Sequence, residues 1–335
     1  MGSKRRDEGV DKIRTIYWSR LLSRRTGMLT PRELWQLLDA GRSGGGDDDG
    51  QNRSPKFPHY ARGVHVPHAN MVDQAERLVS GSAACLNHVL WEVLRLPWQS
   101  LEKKAADMLR WLSPEVQKLV LDSANRIRLE SGHHFLRALE RRRSLDGLAA
   151  LTLLLRLAIE RQQQEQIKEY AYSVLRMLLV LGEMLIEHGV GEMLFDLYAE
   201  RIFPLVTFDG LVFDLSDYPY ALLARELQFQ VMKTYIRARF PDRQDHSDKI
   251  ITNILAGQYA AFFKVLSEPL LIPNIAVGPP APRAIEHLAE QRRLKEAAMQ
   301  VNGLNSSEGW PRLTTSLAPT TDLIQPMMMF KSSGD

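Results

Sequence analysis

The sequence predicts an all-α protein: a small N-terminal helix-turn-helix-like region, a multi-helix bundle behind it and a disordered C-terminal tail. Three observations predict this. Apolar residues recur at three-four spacing through most of residues 101–267, Pro and Gly fall where those patterns stop, and β-prone runs cluster only around Asp209-Gly210. The 335 residues correspond to about two domains of roughly 150 residues each. We place the N-terminal region at 1–100, the bundle at 101–275 and a Pro/Ser/Thr-rich tail with one short helix at 276–335.

The first 26 residues carry Lys4, Arg5, Arg6, Lys12, Arg14, Arg20, Arg24 and Arg25 against only Asp7, Glu8 and Asp11, with Tyr17 and Trp18 between them. Cations interleaved with aromatics suit phosphate contact on one face and packing on the other. A solvated helix face with a frayed terminus is the competing reading. Thr30-Pro31-Arg32-Glu33 then starts a helix, with Thr30 as cap, Pro31 at the first position and Glu33 closing a capping box. Leu34, Leu37 and Leu38 give it an apolar side. Gly41 to Gly50 has no apolar residue, so a flexible loop is expected over 41–54.

In the bundle, Leu101, Ala105, Met108, Leu109 and Leu112 mark one helix, and Ser113-Pro114-Glu115 starts the next. Leu119, Ser123, Ile127 and Glu130 continue that helix towards Gly132, and Phe135 to Arg143 adds a turn or two. Further helices are expected at 147–163, 166–188, 190–202, 219–240 and 247–267, with stops at Gly189, Pro204, Pro241 and Pro269. Leu205 to Leu215 contains an Asp-Gly pair between β-prone residues, the signal of a two-residue hairpin. The long apolar faces of Leu148 to Ile159 and Tyr170 to Ile186 predict a core that extends into a homodimer seam.

A formal charge of +3 is too small to prove an acidic partner. Cys85 is the only cysteine, which excludes an internal disulfide and points to a reducing compartment. Arg14, Arg20, Arg24 and Arg25 interrupt any signal-peptide run near the N-terminus. Leu145 to Ile159 contains Asp146 and Arg156 and is shorter than the roughly 20 residues of a membrane span. A cytoplasmic protein with no membrane partner is therefore expected.

No Gly-rich phosphate loop, dinucleotide fingerprint, nucleophile elbow, zinc-protease helix or kinase motif set is present. These absences argue against the common motif-bearing enzymes. His59, His65, His68, His88 and Cys85 lie close in sequence, and Cys85-x-x-His88 has a workable bite for zinc. Pro67 interrupts His65 and His68, however, and a buried Cys with surface histidines is the simpler reading. Neither a metal nor a cofactor is expected. Asp209, Asp214 and Asp217, or Asp242, Asp245, His246 and Asp248, are the only acidic groups that suit a metal-dependent hydrolase, and all sit where Asp commonly forms turns and caps. Arg141-Arg142-Arg143 suits either a nucleic-acid groove or a helix C-terminus.

Lys56-Phe57-Pro58-His59-Tyr60-Ala61-Arg62-Gly63-Val64-His65-Val66-Pro67, followed by the amphipathic run Met71 to Leu78, has the order aromatic, two residues, Gly, three residues, Pro, helix. Over residues 54–79 this resembles the second half of a lambda-repressor-like, Cro-type helix-turn-helix domain. The resemblance implies phosphate or base contacts at Lys56, His59, Tyr60 and Arg62, with Gly63 as a left-handed helix stop. Pro55, Pro58 and the preceding Gly/Asp loop depart from that pattern. Ser80 to Trp91, with its Asn-His-x-Leu-Trp segment, is also similar to uncharacterised bacterial proteins.

Together these features predict a DNA-binding accessory or regulatory protein of bacterial, mobile-element type, with Arg14, Arg20, Arg24, Arg25, Lys56, His59, Tyr60 and Arg62 at the nucleic acid. The alternative is a non-enzymatic interaction or scaffold protein whose bundle binds another protein.

Overall fold

A computed structural model describes residues 7–40, 56–95, 100–128, 132–238, 243–258, 260–274, 276 and 282–301. The loop expected at 41–54 and the chain from 302 onward lie outside these residues. Helix α1 (Glu8–Thr26) begins at Asp7, whose side chain accepts the Val10 N–H at 3.2 Å, and it stops at Gly27 with φ +72°. Helix α2 (Pro31–Ala40) has the expected capping box. Glu33 N–H donates to Thr30 Oγ1 at 3.2 Å, and Thr30 N–H donates to Glu33 Oε2 at 3.0 Å.

Helix α3 (Lys56–Ala61) is short and ends as expected at Gly63, with φ +68°. Gly63 N–H donates to the Tyr60 carbonyl and Val64 N–H to the His59 carbonyl, both at 2.9 Å, the paired bonds of a Schellman stop. Helices α4 (Ala69–Leu78) and α5 (Ser82–Leu86) follow. Trp18, Leu22, Leu34, Leu38, Tyr60, Met71, Ala75, Val79 and Leu86 form the small core of this N-terminal module.

Helix α1 belongs to two cores at once. Trp18 and Leu22 enter the small one, while Val10, Ile13, Ile16, Tyr17 and Leu21 enter the large core of the bundle. Helix α6 (Val89–Leu94) lies in that same large core, packed on α10 (Leu145–Glu160). Apolar packing is thus continuous across residue 100, where composition suggested a domain boundary. The rest of the bundle is α7 (Ala105–Arg110), α8 (Pro114–Val120), α9 (His133–Glu140), α11 (Gln164–Val180), α12 (Gly182–Glu187), α13 (Gly191–Arg201), α14 (Tyr220–Ala238), α15 (Arg243–Leu255), α16 (Ala261–Ser267) and α17 (Pro282–Val301).

Helices α10 and α11 lie side by side and are walled in by α6, α8, α9 and α14. Every residue from Leu145 to Ala158 except Asp146 is buried. The expected dimer seam on these faces is therefore already filled by the chain's own helices. Three helix expectations are also corrected. Helix α8 stops at Val120, because Leu121 and Ile127 pair across a tight turn. Asp122 holds that turn by accepting from the N–H of Ala124 and Arg126, both at 2.8 Å, with Asn125 at φ +57°. The helix expected over 166–188 breaks at Leu181, and the one over 247–267 breaks at Gly257, which has φ +83°.

The Asp209-Gly210 turn has φ of +52° and +74°, the double positive angle of a type I′ hairpin, and it pairs Phe208 with Leu211. Strand β1 (Leu211–Asp214) then runs antiparallel to β2 (Leu270–Pro273), with Val212 opposite Ile272 and Phe213 opposite Leu271. On the outer edge of β2, Gln291 of α17 accepts from Leu271 N–H at 3.2 Å and donates to the Pro269 carbonyl at 2.8 Å. One side-chain amide thereby closes the open strand edge. Helix α17 has 20 residues and buries Ala284, Leu288 and Gln291, so the segment after the Pro run is a packed element rather than a short helix within a tail. No helix among the described residues is long and apolar enough to cross a membrane.

Candidate nucleic-acid interface

The cations expected at nucleic acid divide into two groups. Arg14 is half-buried and engaged inside the fold: its Nε donates to Asp11 at 2.7 Å. Arg95 reaches the same Asp11 oxygen at 2.7 Å. Arg24 pairs with Glu187 of α12, and Arg25 donates to the Ser80 carbonyl at 3.1 Å. Tyr60 is only 2% exposed and meets Trp18 edge-on at 6.3 Å, and burial pushes its phenol pKa up. This corrects the role that the helix-turn-helix resemblance implied for Tyr60: it packs the module instead of facing a ligand. His59 is half-buried and stacks on His65 at 5.2 Å. The side chain of Lys56 lies outside the described residues.

The second group faces solvent. Arg20 is exposed, and Arg62 is exposed with its Nε donating to the Pro58 carbonyl at 3.2 Å. Lys12, one of the cations counted in the basic N-terminus, is exposed as well. None of the three has an acidic partner among the described residues. Packing draws them together: a Cβ placed on Gly63 would stand 2.7 Å from both Cγ and the carbonyl oxygen of Lys12. Gly189, in the turn between α12 and α13, has φ +70°, and its Cβ would stand 3.7 Å from Arg20 Nε and 3.9 Å from Ile16. Two left-handed glycine turns, far apart in sequence, thus bracket the same stretch of α1.

Composition had not identified a polar hub that fixes α1 to the bundle. Arg201 of α13 donates to Asp7 at 2.6 Å and also reaches the Leu94 carbonyl at 3.4 Å. Arg156, 5% exposed within α10, donates to the Val93 carbonyl at 2.6 Å. Burial lowers the Arg156 pKa to about 10, against a smaller upward pull from Glu160, so it stays charged near neutrality. Arg156, Arg201 and Arg95 therefore surround the C-terminal end of α6, where carbonyl groups and the helix dipole favour cations. The sequence signal for this was the lone Arg156 in an apolar run.

The Cys/His stretch builds no metal centre. Among the described residues no group of three or more His, Cys, Asp or Glu is gathered to hold a metal. His88 has both ring nitrogens engaged. Nδ1 accepts from Leu90 N–H at 3.1 Å, and Nε2 lies 2.9 Å from Asp146 Oδ1. Neither nitrogen remains to activate Cys85, whose thiol is raised in pKa chiefly by burial. Asp209 serves the hairpin turn, and Asp214 accepts from the N–H and hydroxyl of Ser216. The side chains of Asp242, Asp245, His246 and Asp248 lie outside the described residues. No family model, no curated protein and no solved structure matches this chain.

Proposed function

We propose that the protein is a DNA-binding accessory or regulatory protein, of the type carried by bacterial mobile elements, whose N-terminal module meets the nucleic acid while the bundle holds that module in place. The observation that carries this reading is the set of exposed, acid-free cations Lys12, Arg20 and Arg62 on a module with its own core. Charge of this kind gives affinity for phosphate that weakens as salt rises. The test is fluorescence anisotropy of short mixed-sequence duplex DNA at two salt concentrations, with the intact chain and a Lys56→Ala/Arg62→Ala variant. Binding that weakens with salt and drops in the variant supports the reading. Absence of binding at low salt removes it.

A second reading rests on α14. Phe229, Met232 and Ile236 share one face and are 37%, 51% and 72% exposed. Exposed apolar residues aligned on a helix suit a protein contact, either a second copy or another chain. Retention of a protein partner that is insensitive to salt, without any shift of DNA, favours this scaffold reading.

A further inference from the structure

We infer that Lys12, Arg20 and Arg62 form one phosphate track along α1, and that the protein holds duplex DNA by its sugar-phosphate backbone instead of reading base edges. The inference rests on the DNA-binding reading above and specifies its contact surface and mode.

The geometry begins with α1. Lys12, Ile16 and Arg20 are spaced four residues apart and fall along one side of the helix, so Lys12 and Arg20 are separated by about 12 Å of helix rise. Ile16 is buried between them, beneath the Gly63 and Gly189 turns, and the two cations emerge on either side of it. Arg62 joins them because Gly63 is pressed against Lys12. A side chain at Gly63 would collide with the Lys12 backbone, and the left-handed angle also requires glycine there. The stripe has defined ends. Beyond Arg20, Arg24 is neutralised by Glu187; before Lys12, exposed Glu8 lies one helical turn away.

Its chemistry fits phosphate. Three cations on rigid backbone, with no acid competing for them, match a duplex that carries one charge per roughly 3.4 Å of axis on each strand. Base readout needs a helix or ribbon that enters the major groove. Helix α3, the element in the recognition position, has only six residues, spans about 9 Å, and spends Tyr60 on the core. Contacts to backbone alone position a protein without selecting sequence.

The test uses the full chain and two variants with equal loss of charge: Lys12→Gln/Arg20→Gln/Arg62→Gln, and a control on exposed bundle positions, Lys103→Gln/Lys118→Gln/Arg292→Gln. Circular dichroism and thermal melting first establish that both are folded. Anisotropy is then measured with two unrelated 20-base-pair duplexes across a salt series. The track predicts at least about a tenfold affinity loss in the first variant, and a salt slope shallower by about 2.7, near 0.9 for each phosphate released. It also predicts little change in the control, and affinities for the two duplexes within about threefold. Equal behaviour of the two variants overturns the track while leaving DNA binding standing. Strong preference for one duplex overturns the backbone mode. Failure of the intact chain to bind either duplex at low salt overturns the DNA reading itself.

Discussion

His88 and Asp146 meet at 2.9 Å and join the start of α6 to the start of α10. Because His88 Nδ1 accepts the Leu90 N–H, the proton at Nε2 is directed to the carboxylate. The other Asp146 oxygen accepts Ser113 N–H at 3.2 Å, ahead of α8. One carboxylate therefore organises three helix N-termini. Burial works to raise the Asp146 pKa, but the hydrogen bonds from His88 and Ser113 outweigh it and hold it below the ordinary carboxylate value. Its stabilisation is present above that ordinary value and is lost as pH falls through the depressed one. Asp146→Ala should cost about 1–3 kcal/mol in urea unfolding at pH 7 and flatten the acid limb of the stability profile.

Gly63→Ala should destabilise the module by at least about 2 kcal/mol, since it adds left-handed strain and a collision with Lys12. Gly27→Ala is the comparison, with a similar φ of +72° and no atom within 4 Å of the added Cβ. It should cost only about 1 kcal/mol, the backbone contribution alone. Equal melting temperatures for the two variants would show that the close approach of the turn to α1 is wrong.

His188 stacks on Tyr17 at 4.7 Å, with Nδ1 2.7 Å from the Met184 carbonyl. Burial lowers its pKa below 6.5, outweighing the hydrogen bond to Met184. In the window just below 6.5 the unfolded chain therefore binds the proton more readily than the folded one. Stability should be full above that value and fall as pH drops through the window. Melting temperatures from pH 7.5 to 5 would register the decline, and His188→Gln should remove this component.

Arg156→Met keeps much of the side-chain volume but removes the donor to the Val93 carbonyl. The expected cost is about 2–4 kcal/mol, from an unsatisfied buried carbonyl at a helix end. Arg156→Lys should recover part of it, because a positive donor remains. Denaturant midpoints compare the three proteins, and a methionine variant as stable as the original would mean that apolar packing alone holds this position.

Where a structural feature depends on neighbours in sequence, the chain declares it. Thr30 and Glu33 make their capping box, Gly63 stops α3, and Asp209-Gly210 makes a type I′ turn, because each is settled within four or five residues by hydrogen bonds and allowed backbone angles. The helical period likewise marked α10 and α11, while Asn125 and Asp122 ended α8 by a local turn that an apolar spacing count overlooks. The cations of α1 were visible as a group, yet their sequence could not sort them. Arg14 and Lys12 are two residues apart on the same helix, and only packing turns one into the fold and the other to water.

The sequence by itself therefore determined the all-α class, most helix positions, the caps and the tight turns, since these follow from local propensity and periodicity. Only the tertiary structure decided that α1 serves two cores, that Asp7 finds Arg201, that β1 pairs with β2 under Gln291, and that Arg62 comes to lie beside Lys12. Those relationships join residues distant in the chain, and they are fixed by how apolar surface is buried and buried polar groups are satisfied across the whole fold.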